Sequence, residues 1–251
     1  MSAWVLALFS LLHTDPSVFR TKLPHTALAV YINVDANQPA APLEHMKREL
    51  SGIMQSAGYR VVYSDPRTPD SNAQFSKLVV LELRGNCGMA RGNYRVERSV
   101  ASGASLAETS VSSGVVMPFS RVNCANLTRL IGPALAEEAA AQRDYFYGRA
   151  MARVAAHELY HVMMGSRDHG HEGVAKASFT VADLLDERFD FDRVALALLR
   201  QKAGEQSDVG QDGILRAIGN RPWTVDSTWR GPRVCNADTL VGAPGCLAIR
   251  R

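Results

Sequence analysis

The feature that most constrains this chain is the pentapeptide HELYH at positions 157–161, which follows the pattern HExxH. The surrounding segment 149–164 has the composition and periodicity of a helix, and Gly165 follows it as a typical stop. Four residues turn a helix by about 400° and advance it by ~6 Å, so His157 and His161 share one face. Two imidazoles placed in this way can bind one zinc ion at about 2.0–2.1 Å. The pattern therefore predicts a metal-binding helix.

Glu158 stands beside the first of these histidines, where it would flank a bound metal rather than coordinate it. Zinc lowers the pKa of a coordinated water toward ~7, and a flanking carboxylate can accept the proton. The position therefore favours a general acid/base role for Glu158. The alternative interpretation is an ordinary helix that happens to carry two histidines, but burying these polar groups without a partner carries a desolvation cost.

A third metal ligand is expected, because a catalytic zinc usually has three protein ligands. Gly165 allows the chain to turn back after the helix, and a loop rich in histidine and charge follows it. His169 in that loop is the first candidate. The other candidates offer a nitrogen or oxygen donor in the same loop or beyond it: His171, Asp168, Glu172 and Glu187.

The first part of the chain alternates strands with a helix. Three apolar segments rich in β-branched residues predict strands: 26–34, 59–63 and 77–83. The segment 42–57 has hydrophobic residues at helical spacing, and the order strand, helix, strand predicts a crossover with parallel pairing. A fourth strand is predicted at 115–122, where Pro118 indicates a bulge or an edge. A weaker fifth is predicted at 106–111, where the polar side chains indicate an edge.

The second part of the chain is predicted to be helical and then irregular. Helical segments are expected at 134–147, 149–164, 180–185 and 191–202. The sequence therefore predicts an α/β fold in which a small mixed sheet, a crossover helix and the metal-binding helix form one domain over residues 21–203. Residues 204–251 are rich in Gly, Pro and Asp and lack periodicity, so we expect a loosely structured tail there.

The N-terminus and the cysteines bear on the cellular compartment. The apolar, uncharged run at 2–12 has the length of a signal-peptide core and is too short for a membrane-spanning helix, which needs ~20 residues. We therefore interpret residues 1–20 as a signal-peptide remnant or an N-terminal segment, and we expect an exported protein, periplasmic or secreted. A buried N-terminal helix would instead indicate the cytoplasm. In an oxidising compartment the four cysteines predict two disulfides, Cys87–Cys124 and Cys235–Cys246.

The charge of the chain favours neither nucleic acid nor a membrane as a partner. The chain has 28 Lys and Arg residues against 25 Asp and Glu, a net charge of +3, and the basic residues are scattered rather than clustered. No segment after the N-terminal run has the ~20 consecutive apolar residues of a membrane span. The oligomeric state is left open.

The segment HELYHVMMGSRDH at positions 157–169 resembles the zinc site of the metzincin peptidases, whose pattern is HExxHxxGxxH or the same with a final Asp. The order of strand, helix, strands and active-site helix over 26–164 is also similar to that family. Gly165 comes one residue later and His169 two residues later than in the family pattern. No methionine follows the helix to form the family's Met-turn, and the segment 173–179 is the candidate for that position.

The resemblance implies a divergent, bacterial-type zincin with an α+β, zincin-like fold and peptidase activity. By this resemblance Glu158 would be the general acid/base, and His157, His161 and His169 would bind Zn²⁺. A peptide or protein substrate would pair with the edge strand predicted at 106–111. The alternative function is a zinc-binding scaffold or interaction protein whose site is structural or catalytically inactive.

Overall fold

The computed structural model describes residues 26–35, 37–64, 75–89 and 105–208. The predicted segment 1–20, the predicted pair Cys235–Cys246 and the predicted tail beyond residue 208 lie outside the described residues.

In the part of the chain that the structure describes, five strands form one mixed sheet in the order β2-β1-β3-β5-β4. The strands are β1 Thr26–Val34, β2 Tyr59–Ser64, β3 Lys77–Arg84, β4 Ala107–Ser112 and β5 Val115–Asn123. β1 pairs in parallel with β2 and β3, and β3 pairs in parallel with β5. β4 is antiparallel to β5 and occupies the edge. The predicted α/β fold, its small mixed sheet and its polar edge strand are confirmed.

Within the described ranges, five helices accompany the sheet. They are α1 Ala40–Ser56, α2 Cys124–Leu135, α3 Ala140–Met164, α4 Val181–Leu185 and α5 Arg193–Asp208. α1 connects β1 to β2, which is the predicted crossover, and α5 continues past residue 203 into the predicted tail. Among the described residues, none of the helices has both the length and the apolar composition that crossing a bilayer requires.

The prediction of two separate helices at 134–147 and 149–164 is wrong, because α3 is one continuous helix that includes Gly148. A Cβ atom at Gly148 would lie 2.4 Å from the Cβ of His45 and 2.5 Å from the carbonyl oxygen of Pro42, both on α1. The glycine therefore marks the close crossing of α1 and α3 rather than a helix end, and residues 134 and 135 belong to α2.

The second half of α3 is buried on all sides, from Tyr147 to Met163. The two arginines in this stretch donate to main-chain carbonyls of the α4 segment: Arg149 to the carbonyls of Leu185 and Asp186, each at 3.0 Å, and Arg153 to that of Asp183 at 2.8 Å. These bonds satisfy carbonyls at the end of a short helix, and the Glu49 carboxylate lies 3.8 Å from Arg149 and 3.4 Å from Arg153. They also fix the rotation of α3, and with it the direction of the polar residues near its C-terminus.

The hairpin of β4 and β5 carries the irregularity that Pro118 predicts. Thr109 pairs with Ser120 and Val111 pairs with Val116, so a single β4 residue between them stands opposite three β5 residues that include Pro118. Such a bulge bends a strand and re-aims its side chains. In this fold it lies next to the point where β4 contacts α3.

The predicted disulfide between Cys87 and Cys124 is confirmed. It ties the chain that follows β3 to the first residue of α2. The Tyr147 hydroxyl donates to the carbonyl of Cys124 at 3.0 Å, which links the same point to α3. The disulfide thereby ties the end of β3 to α2, and the hydrogen bond from Tyr147 connects the same point to α3.

Candidate metal centre

His157 and His161 lie on one face of α3, as their spacing predicts. Both are buried, with 8% of each residue exposed, and their Nε2 atoms are 3.1 Å apart. Each ring has its other nitrogen at a main-chain carbonyl: Nδ1 of His157 is 2.8 Å from the oxygen of Val174, and Nδ1 of His161 is 2.9 Å from the oxygen of Ser166. A carbonyl can only accept, so both Nδ1 atoms carry the proton and donate.

When both rings are neutral, each has a single ring proton on Nδ1, so the two Nε2 atoms face each other with lone pairs. Burial lowers the pKa of His157 to about 4, against the opposing hydrogen bond to the Val174 carbonyl and with smaller contributions from His161 and His169. Burial also lowers the pKa of His161. Neutral imidazoles are the form that binds a metal. Two lone pairs this close repel each other unless a cation or a proton lies between them, so the donor set fits a metal ion.

His169 completes the group. Its ring centre is 5.2 Å from that of His157 and 4.8 Å from that of His161, and one nitrogen from each of the three rings lies within 4.8 Å of the others. Tetrahedral coordination by zinc places nitrogen ligands about 3.3 Å apart. The buried pair already has nearly this separation, and the exposed His169 ring can approach it by a side-chain movement.

The loop after α3 brings His169 to this position. Gly165 ends the helix in the left-handed conformation (φ 63°), which glycine adopts without strain, and the chain reverses there. The amide of Gly170 then donates to the carbonyl of Ala175 at 2.8 Å, which closes a small loop directly after His169. The alternative ligands lie outside the group of three: His171, Asp168, Glu172 and Glu187.

Glu158 faces the same space from the next position of α3. It is 4% exposed, and burial raises its pKa to about 7, against the opposing effect of a hydrogen bond from Thr109. The Thr109 hydroxyl on the edge strand donates to Oε2 of Glu158 at 2.6 Å. A carboxyl group whose pKa lies near 7 can both accept and release a proton at neutral pH.

A cavity of about 260 Å³ brings these groups together. Glu158 and all three histidines line it, with β4 on one side, where Thr109 and Val111 lie, and the loop after α3 on the other. Glu108 also lines it, but its charge is compensated by Arg121 at 2.9 Å. The cavity therefore has three imidazoles that could bind one metal ion, one buried carboxyl group that could carry a proton, and an edge strand beside them.

Sequence reasoning did not single out Thr109 or the two carbonyls that orient the histidines. It placed Thr109 only within a weak strand. No pattern in the chain indicates which main-chain carbonyls will face the imidazoles, because this depends on how the loop after Gly165 closes.

The segment 173–179, considered as a replacement for the Met-turn, contacts the site. Its Val174 carbonyl accepts from His157, and its Phe179 ring lies 5.3 Å from the His157 ring in an edge-to-face arrangement.

Comparisons with known proteins add little information about the function of this site. No family model matches the chain, and no curated protein matches it. Among solved structures, the crystal structure of archaemetzincin from Methanopyrus kandleri is similar with a TM-score of 0.39 and 14% sequence identity. The superposition covers 74% of this chain and 98% of that chain. Similarity at this level does not establish a common fold, so the functional conclusion depends on the site itself.

Proposed function

We propose that this chain is a zinc-dependent peptidase in which Glu158 is the general acid/base. The observation that supports this most directly is the convergence of three imidazoles and one buried carboxyl group on a single cavity beside β4, the edge strand of the described sheet. A purely structural zinc site has no use for a buried proton carrier, and burying one is costly.

His157, His161 and His169 would hold the metal. Two of them are oriented by main-chain carbonyls, which fix the ring position and leave Nε2 free to coordinate. When bound, zinc supplies a Lewis acid that polarises a carbonyl and acidifies water. Zinc is the metal that fits a nitrogen-rich group with room for one further ligand.

Glu158 would carry the proton through the reaction. In hydrolysis a water adds its oxygen to the peptide carbonyl carbon, the C–N bond breaks, and the leaving nitrogen takes up a proton. The Glu158 carboxylate accepts the proton that the water loses and delivers it to the amine. Burial raises the pKa of this carboxyl group above its usual range, which makes its carboxylate a better proton acceptor.

The substrate would be an extended peptide. Within the described sheet, β4 has β5 on one side and no strand on the other. Ala107, Glu108 and Thr109 of this strand line the cavity together with Glu158. A peptide that pairs with the open edge gains main-chain hydrogen bonds with little sequence preference, and its backbone passes beside the metal group.

We also propose that the protein is exported. The support is the buried Cys87–Cys124 disulfide, since such bonds persist in oxidising compartments and are rare in the cytosol.

The test of the proposed function is digestion of a peptide library by zinc-loaded protein, by protein stripped with a chelator, and by stripped protein given zinc again. We expect mass spectrometry to find cleavage at internal peptide bonds in the first and third samples and none in the second. Stoichiometric zinc binding without any cleavage would favour the scaffold function instead. Cleavage that survives removal of the metal would contradict a metal-dependent reaction.

A further inference from the structure

We propose that Thr109 is a positioning residue that holds the carboxyl group of Glu158 in the orientation needed for proton transfer. This inference rests on the proposed function and adds to it a residue outside the zinc-binding segment. The two residues are 49 positions apart in the chain and belong to different elements, β4 and α3.

The hydrogen bonds around Thr109 have one consistent direction. Its Oγ1 lies 2.6 Å from Oε2 of Glu158 and 3.0 Å from Oγ of Ser120, and also 3.3 Å from the main-chain oxygen of Glu158. A carboxylate only accepts, so the single hydroxyl proton of Thr109 goes to Glu158. The Thr109 oxygen then accepts from the Ser120 hydroxyl. A chain of donors therefore runs from Ser120 through Thr109 to Glu158.

The position of Thr109 is set by the sheet. Thr109 and Ser120 are direct cross-strand partners, so their side chains emerge on the same face. The pairing shift immediately beyond Thr109 bends the hairpin next to α3. Threonine is also β-branched, which restricts its first side-chain torsion. The hydroxyl is thus presented to α3 from a fixed direction.

The two carboxyl oxygens of Glu158 would therefore have different roles. The side-chain hydrogen bond described for Glu158 is accepted by Oε2, and this bond holds Oε2 in place. Oε1 then remains available to exchange protons. The anchor also lies on the strand whose open edge would receive the peptide. One element would then align the substrate backbone and hold the proton carrier, which keeps the distance between them constant.

The experiment compares Thr109→Val, which keeps the shape and removes the hydroxyl, with Thr109→Ser, which keeps the hydroxyl. For a peptide cleaved by the wild type, we expect Thr109→Val to lower kcat by about 10–100-fold with KM nearly unchanged, as loss of a hydrogen bond to a charged group implies. Thr109→Ser should restore kcat to within about threefold of wild type. Zinc content should be the same in all of these proteins.

Thr128→Val is the matched control. Thr128 is a half-buried threonine on α2 whose hydroxyl lies 2.9 Å from that of Tyr147, and it does not line the cavity. We expect its kcat to equal that of the wild type. If Thr109→Val does not fold, Thr109→Ala tests the same hydroxyl with a smaller side chain.

A readout that does not require activity is the crystallographic position of the Glu158 carboxyl group. We expect it to turn away from β4 in Thr109→Val and to stay in place in Thr109→Ser. An unmoved carboxyl group, a Thr109→Val protein with wild-type kcat, or a Thr109→Ser protein as impaired as Thr109→Val would each overturn the inference. A wild type that cleaves no peptide would contradict the proposed function, and the crystallographic comparison would still decide the role of Thr109.

Discussion

Replacing Glu158 with glutamine is expected to lower kcat for peptide hydrolysis by about 10²–10⁴-fold while the protein binds the same amount of zinc. Glutamine has nearly the same shape, and its amide oxygen can still accept the hydrogen bond from Thr109. It cannot accept the proton of the attacking water. The loss should therefore fall on the chemical step and leave the metal group intact.

The measurement is steady-state kinetics on a cleaved library peptide, with zinc content determined on the same samples. Glu172→Gln is the matched control, because Glu172 is an exposed glutamate of the loop after α3 and lies outside the group of three histidines. Its kcat should match the wild type. Hydrolysis by Glu158→Gln at the wild-type rate, with zinc bound, would show that another group moves the proton.

Replacing His169 with alanine is expected to weaken zinc affinity by at least about a hundredfold. This residue supplies one of three ligands, and even removing a partner that only orients a ligand costs about 10–100-fold. His171→Ala is the control from the same loop, since His171 lies outside the metal group. Its affinity should equal that of the wild type.

Competition with a chromophoric chelator measures both affinities. Peptide hydrolysis should follow zinc occupancy, so His169→Ala should lose activity at limiting zinc and His171→Ala should keep it. Wild-type affinity in His169→Ala together with a loss in His171→Ala would exchange the roles of the two histidines. An unchanged affinity in both proteins would contradict a histidine of this loop as the third ligand and would point to a carboxylate such as Asp168, Glu172 or Glu187.

The sequence predicts the helix that carries the two histidines and the central strands, because both depend on the local spacing of residues. The interval of four residues puts His157 and His161 on one face of any helix, whatever surrounds it. The apolar runs at 26–34 and 77–83 predict the central strands for the same reason: strand patterns are local. Even the bulge in the β4–β5 hairpin is predicted by one residue, Pro118, which cannot donate to a ladder.

What the sequence did not predict depends on contacts between distant segments. Gly148 indicates a helix end when read locally, but its missing side chain admits α1 against α3. Nothing in the polar strand distinguishes Thr109, because its hydrogen bond to Glu158 depends on the packing of α3 beside β4. The sequence placed His169 first among the candidate third ligands, but it left the alternatives open, because the loop closed between Gly170 and Ala175 follows no spacing rule.

X-ray absorption spectroscopy at the zinc edge on the zinc-loaded protein tests the central claim most directly, because it counts the ligands and identifies imidazoles by their outer-shell scattering. The account predicts three imidazole nitrogens at about 2.0–2.1 Å and one further oxygen or nitrogen. Two or fewer imidazoles, or a first shell dominated by sulfur or carboxylate oxygen, would contradict it.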